Sequence, residues 1–404
     1  MPPAPARCCI VGAGPAGAML AFLLARQGIP VTLLEAHLDF DREFRGDTLH
    51  PSALEILDSL GLADRLLQLP HTRVQKISIQ TPSGSFAPFD LSTLRSKFNY
   101  IALMPQAAFL EFLTHEASQF PSFDLRMGVR VEDLIREHGV VRGVITTRGG
   151  ERETIEADLT IGCDGRNSRI RHVSGLQETM LKTSPPMDVL WFKLPRLPSD
   201  TLSISGRIQG GHMIVTLPRT DHYQLGYVLL KGTFHELKEA GLDQFQQTVA
   251  QLRPELADRV ETLQSWKDVS LLSVESTYCQ TWHQPGLLLL GDAAHVMSPV
   301  GGVGINYAIQ DAVVAANRLC RPLRSGQVSV ADLAKVQSDR RWPTRFIQWF
   351  QGQVQNRIIR QALDPRVKFQ VPWFLKLPIL RHLPVRILAY GLKRVRVEGE
   401  ASRQ

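Results

Sequence analysis

The amino-acid sequence predicts an α/β chain: a nucleotide-binding domain of βαβ type, interrupted by an antiparallel sheet and followed by a helical arm. Three observations carry that reading. Residues 8–35 give a strand, a glycine turn, a helix and a second strand. Residues 287–312 give a strand, an acid, a glycine turn and a helix, and residues 189–275 between them change to short strands with turn breaks. The predicted units are 1–175 with 276–328 for the nucleotide domain, 176–275 for a substrate-binding sheet domain, and 329–404 for the arm.

Cys8 to Val11 is a short apolar run that enters Gly12-Ala13-Gly14-Pro15-Ala16-Gly17, after which Ala18 to Arg26 favours helix. Gly28 stops that helix, and Val31 to Leu34 forms a strand ending at Glu35-Ala36. The glycines permit a tight turn, backbone approach to a pyrophosphate and close helix–strand packing, while the helix N-terminus favours phosphate charge. Glu35 falls about 20 residues past the turn, where a carboxylate can bind both ribose hydroxyls and would repel a 2′-phosphate. A lone glycine fingerprint is a weak signal. With both strands, the helix and the acid in register, it reads as a Rossmann-like site for FAD or NAD rather than NADP.

Arg42 to Pro51 leads into an amphipathic helix from Ser52 to Leu60, ended by Gly61. Within it Arg45, by residue type alone, reads as a solvated arginine. His50, just before Pro51, reads as a turn residue or a group on the substrate side. Met104-Pro105-Gln106 starts a helix through Ala117, and Val129 to Ile135 with Val140 to Thr147 alternate like a strand pair. A third strand, Leu159 to Gly162, delivers Cys163-Asp164-Gly165-Arg166-Asn167-Ser168. In the insert, Leu202 to Ile208, His212 to Leu217 and Tyr223 to Leu229 read as strands and Leu242 to Leu252 as helix. The insert has no second dinucleotide fingerprint, so a second nucleotide would bind transiently on a surface shared with the first.

The run Leu287 to Leu290, bounded by Pro285-Gly286 and Gly291, reads as a buried strand that ends at Asp292. A turn with Pro299, Gly301, Gly302 and Gly304 follows, then a helix from Ile305 to Leu319. Such a turn gathers free N–H groups and the positive end of a helix around one point, which stabilises negative charge on a bound group. Its glycines let the backbone approach a flat ligand. Asp292 can accept from hydroxyls.

The net charge of +7 suits anionic ligands or an acidic surface, but no finger, helix-turn-helix or RNA-binding signature accompanies it, so nucleic acid is not expected. Five scattered cysteines without a C-x-x-C pair argue against a disulfide frame or a zinc site, and no metal is expected. No segment reaches the ~18 consecutive apolar residues of a bilayer span, and Ala18 to Ala25 follows a glycine fingerprint rather than a basic region. The protein is expected to be cytoplasmic. In the arm, 329–363 reads as a long helix, and from Pro365 apolar and basic residues alternate, as in Trp373-Phe374-Leu375-Lys376-Leu377-Pro378. A segment of this kind can lie on an anionic membrane surface. The commoner arrangement packs it on the body with its arginines solvated.

Three signatures thus stand in order: Gly12-x-Gly14-x-x-Gly17 with Glu35; Asp164-Gly165 with Ser168 and Arg171; and Gly291-Asp292 with Pro299, Gly302, Gly304 and Asn306. Together they resemble the single-component flavoprotein monooxygenases, the para-hydroxybenzoate hydroxylase-like aromatic hydroxylases, over residues 7 to about 325. The resemblance implies FAD as the resident cofactor, its adenosine half at Gly12, Gly14, Pro15, Ala16, Gly17, Glu35 and Ala36. It implies Arg45 at the FAD phosphates, Gln106 and Asp292 at the ribityl chain, and Asp164-Gly165 at FAD and NADPH. Pro299 would sit against the flavin ring beside the substrate, and the turn Gly302-Val303-Gly304-Ile305-Asn306 would stabilise negative charge on the ring. NADPH or NADH would reduce the flavin, which would take up dioxygen as a hydroperoxide and pass one oxygen atom to an aromatic or polycyclic small molecule. The inserted sheet would be the lid. No Trp-x-Trp-x-Ile-Pro of related halogenases is present, and the substrate-side residues of para-hydroxybenzoate hydroxylase have no match in 189–275. His50, His212, Tyr223 and Tyr227 are the candidate substrate-side groups, since a base would activate a phenol. Two other readings fit the same scaffold: a flavin reductase or dehydrogenase acting on a lipophilic isoprenoid or quinone, and a non-catalytic flavin-binding protein.

Overall fold

Three apolar runs, Cys8–Val11, Leu159–Gly162 and Leu287–Leu289, are buried along their whole length and pair in parallel, as continuous rather than alternating hydrophobic strands should. The computed structural model describes residues 6–41, 48–180, 186–367 and 382–398. Its first sheet has the order His283–Gln284, Leu287–Leu289, Leu159–Gly162, Cys8–Val11, Val31–Glu35, Phe123–Met127, and only the first pair is antiparallel. The three sequence signatures therefore leave the carboxyl ends of adjacent parallel strands, where ligands bind in open α/β sheets. Every residue from Ala16 to Ala25 of the helix Pro15–Arg26 is buried. That explains its all-round apolar character, because it is covered by the sheet, by the helix Gln106–Ser118 and by the helix Gly304–Arg324.

The second sheet has seven strands: Ser270–Ser273, Met187–Pro195, His222–Leu230, His212–Pro218, Ile204–Gln209, Lys76–Thr81 and Gly84–Asp90. Its last two strands come from before the predicted insert, and Lys76–Thr81 pairs in parallel with Ile204–Gln209. Alternation gives the sheet two apolar faces. Leu190, Phe192, Leu225 and Tyr227 pack on Phe245 and Val249 of the helix Leu242–Leu252, while Val189, Trp191, Val215 and Val228 face the first domain across a cavity. A short antiparallel pair, Glu178–Met180 with Thr277–Cys279, lies where the chain leaves and re-enters the first domain.

The helix Val330–Val354 starts at a capping box formed by Ser329 and Asp332, and its run continues through Gln355–Ile359 and Arg360–Ala362. The apolar and basic run around Trp373 lies outside the described residues. From His382 the chain returns to the body: Val385 and Leu388 of the helix His382–Tyr390 enter a core with Met297, Val303 and Tyr307, and Val395 and Val397 pack on the first core. Among the described residues, no helix is long and apolar enough to cross a membrane.

Candidate functional site

One cavity of about 2710 Å³ runs from the first glycine turn, past the second, to the inner face of the seven-stranded sheet. Small-molecule sites are typically about 300–1,000 Å³. This volume accommodates a dinucleotide and a further ligand together.

At its first end the wall is mostly backbone. A Cβ on Gly12 would lie 2.6 Å from the Cys163 carbonyl oxygen, and one on Gly17 only 2.0 Å from the Gly12 carbonyl oxygen. Those glycines are fixed by chain-to-chain contact. Gly14 has open space where its Cβ would be, so the turn presents bare backbone to the cavity beside Pro15 and Ala16. The helix behind it has no side-chain cap and no acid in its first turn, leaving N–H groups and the positive dipole end for an anion. Glu35 accepts from the Ala13 and His37 amides at 3.1 Å each, bracing the turn, and lines the cavity with Ala36. Gln106, Asp164 and Gly165 line the next stretch. Burial pushes the Asp164 carboxyl above the usual range, against hydrogen bonds from Ser168 Oγ and the Ile170 amide. Arg45 lies outside the described residues.

The second turn brings Gly291, Asp292, Pro299, Gly301, Gly302, Gly304 and Ile305 to the cavity. Gly302 has a left-handed φ of 62°, and a Cβ there would meet Thr48 Oγ1 at 2.5 Å, the hydroxyl that donates to the Gly302 carbonyl. The helix Gly304–Arg324 again begins with neither a side-chain cap nor an acid. The side chains of Val303 and Asn306 point behind the turn, so only their backbone could face a ligand. Val303 is buried in the core. Asn306 accepts from the His50 amide at 2.8 Å and donates to the Thr48 and Gly302 carbonyls, so its side chain shapes the turn instead of facing the cavity. Gln351 Nε2 donates to the Ser298 and Val300 carbonyls at 2.9 and 2.8 Å, holding Pro299 from the far side.

Beneath this turn lies a group that the motifs did not reveal. The fully buried Asp311 accepts from the Gly291 amide at 3.1 Å, and its carboxylate stands 2.6 Å from both His295 Nε2 and Arg340 Nε. Burial opposes its charge, but His295 and Arg340 more than offset this and hold its carboxyl below the usual range. The buried Arg171 donates to the Ala293 and Arg166 carbonyls and joins the middle signature to the last. An acid on an otherwise apolar helix face, between Ile309 and Ala312, was the available signal.

The other end of the cavity is built from side chains. Ile77, Phe89, Trp191, Val215 and Val228 come from the sheet, and Phe350 and Leu388 from the two C-terminal helices. The candidate substrate-side groups are not gathered here. Tyr223 and Tyr227 sit on the opposite face of their strand from Gln224, Gly226 and Val228: the Tyr223 hydroxyl donates to the Thr201 carbonyl at 2.8 Å, and the Tyr227 ring packs on Phe245. His212 Nδ1 is 2.6 Å from the Tyr227 hydroxyl on that same outer face. His50 is completely buried behind the second turn, and burial lowers its pKa to about 4. It is neutral near pH 7 but does not border the cavity.

The residues present fit FAD. Two uncapped helix N-termini and two bare-backbone turns open onto one cavity, with Glu35 at one end and Asp292 near the other. The model of the FAD binding domain family matches residues 6–343. The chain is 33% identical over 399 residues to a 6-methylpretetramide 4-monooxygenase of Streptomyces rimosus, covering 97% of this chain and 94% of that protein. It is 26% identical over 368 residues to a rifampicin monooxygenase of Rhodococcus hoagii, covering 82% of this chain and 67% of that protein. Among solved structures, an anhydrotetracycline hydroxylase from Streptomyces rimosus has a TM-score of 0.73 at 21% identity, covering 95% of this chain and 75% of that one. P. aeruginosa PqsL with 2-aminobenzoylacetate has a TM-score of 0.75 at 20% identity, covering 89% and 97%. Both share the fold of this chain.

Proposed function

The chain belongs to the FAD binding domain family, and we propose that it is an FAD-dependent monooxygenase that adds one oxygen atom from dioxygen to an electron-rich, fused-ring phenolic substrate. The observation that carries this reading is the continuity of the cavity. A backbone-lined end suited to a dinucleotide opens, at Pro299 and Gly301, into an apolar chamber wide enough for several fused rings. The relatives named for 6-methylpretetramide, rifampicin and anhydrotetracycline support the same substrate class.

Bound FAD would supply the redox chemistry, taking a hydride from NADH or NADPH and activating dioxygen. The chain contributes position, charge and dryness. Gly12, Gly14, Pro15 and Ala16 would hold the pyrophosphate, and Glu35 the ribose. Gln106, Asp164 and Asp292 would hold the polyol between, and the Gly304 and Ile305 amides at the uncapped helix start would stabilise negative charge on the ring, the Gly302 amide being donated to the Pro299 carbonyl. Trp191, Val215, Phe350 and Leu388 would keep water from the reacting side. With Tyr223, Tyr227 and His212 on the outer face, no side-chain base is assigned; a phenol would be activated by its own ionisation.

The test is to load the protein with FAD and screen fused-ring phenols for stimulated NAD(P)H consumption, looking for an oxygen atom from labelled dioxygen in the product. Products carrying the label support the reading. Consumption that never yields a labelled product with any such phenol would refute it.

A further inference from the structure

His50 joins two parts of the chain that are far apart in sequence, one through its backbone and one through its ring. Its backbone amide donates to Asn306 Oδ1 at 2.8 Å, and Asn306 in turn holds the Gly302 carbonyl of the second glycine turn. Its ring Nδ1 lies 2.8 Å from the carbonyl oxygen of Leu388, 338 positions away. A carbonyl only accepts, so Nδ1 carries the proton.

The acceptor matters. Leu388 lies in the last turn of the helix His382–Tyr390, where carbonyls lose their intrahelical partners. The Gly391 amide satisfies Ile387, and the His50 ring satisfies Leu388. His50 is also the N-cap residue of the helix Pro51–Ser59, whose Ala53 and Leu54 amides donate to its backbone carbonyl, so two helix ends meet at one residue. Pro384, Val385 and Leu388 line the cavity on the side of Met297, Pro299 and Gly301, and Leu388 Cδ1 would be 3.0 Å from a Cβ placed on Gly301. Further along, Arg394 and Glu55 approach to 3.8 Å with both side chains partly exposed, a pairing worth little.

We propose that His50 is the latch of the C-terminal helix: its Nδ1–H bond to Leu388 keeps Val385 and Leu388 closed against the second glycine turn, sealing the chamber and setting the substrate shapes it admits. The consequence for turnover rests on the monooxygenase reading; the closure itself does not. His50 is thereby a positioning residue, acting through Leu388 on the wall beside Pro299.

The test uses the full-length, FAD-loaded protein and compares His50→Ala with His50→Asn, whose amide can donate from nearly the same point as Nδ1. Hydrogen exchange is followed at the amides of 385–391 without substrate. His50→Ala should speed exchange there about tenfold, as loss of one buried hydrogen bond implies, leave the amides of the helix Pro15–Arg26 unchanged, and be largely rescued by His50→Asn. In turnover, His50→Ala should release more hydrogen peroxide per NAD(P)H and raise KM for the phenol more than it lowers kcat. If His50→Ala fails to accumulate, His50→Phe keeps ring volume without the donor and serves in its place. Unchanged exchange at 385–391, or failure of His50→Asn to rescue it, overturns the latch. Faster exchange in an enzyme that oxygenates no phenol supports the latch and refutes only the proposed reaction.

Discussion

Beside Gly12 the cavity wall is backbone, and beside Trp191 it is side chain. At the first end, glycines sit where a Cβ would strike a carbonyl at 2.0 or 2.6 Å, and two helix N-termini point inward without caps. At the other, strands from 76–90 and 187–230 and helices near 350 and 388 each contribute apolar groups, with no shared motif. A backbone-built site depends on the path of the chain and on its glycines. A side-chain wall can change one residue at a time without disturbing the cradle, which is how one fold serves many substrates.

The largest test of that contrast is Gly17→Ala. The contact with the Gly12 carbonyl cannot be relieved by a side-chain rotation, so the strain should exceed about 3 kcal/mol. Fluorescence titration should find FAD affinity reduced more than about a hundredfold; an unchanged affinity would break the comparison at its rigid end.

The junction between the halves should respond to acid. Burial holds the His50 pKa near 4 against 6.5 for a free histidine, so the unfolded chain binds more protons between those values. Its contribution to stability is full above pH 6.5 and declines as pH falls towards 4, by about 3 kcal/mol. Denaturation midpoints of the native protein and His50→Asn across that window should diverge accordingly; parallel profiles would remove His50 as the cause.

At the chamber, Gly226→Val places a Cβ 3.0 Å from the Trp191 ring and should push the indole inward. Overpacking of about 1–2 kcal/mol should raise KM for a fused-ring phenol about tenfold with FAD occupancy unchanged, read by steady-state kinetics and flavin absorbance. Lost FAD would mean the two ends are not separable. The smallest effect is expected on the outer face, where Tyr223→Phe removes one hydrogen bond to Thr201. It should cost about 1 kcal/mol of stability in denaturant titration and leave turnover as it was.

These differences also explain what the sequence could disclose. The cradle was legible because Gly12, Gly17, Glu35 and Asp292 answer to local geometry at strand ends, and local geometry leaves a fixed spacing. The chamber was not. Alternation at Tyr223 to Leu229 reveals two faces, but which face meets the helix Leu242–Leu252 and which meets the cavity depends on packing between distant segments, so Tyr223, Tyr227 and His212 read as substrate groups. The strands at 76–90 joined the second sheet through a parallel pairing with 204–209 that no local signal announces. The side chains of Asn306 and Val303 lie behind the turn, which the motif's spacing does not disclose. His50 was singled out for its chemistry, whereas its position ties two helix ends together.

The central claim is that one cavity holds FAD at its backbone end and a fused-ring phenol at its side-chain end. Titrating such phenols into the FAD-loaded protein and recording the absorbance of the bound flavin tests it most directly. The account predicts a saturable shift of the flavin bands, at one FAD per chain, that Gly226→Val weakens. Protein that retains no FAD after reconstitution, or bound flavin whose spectrum ignores every such phenol, would contradict it.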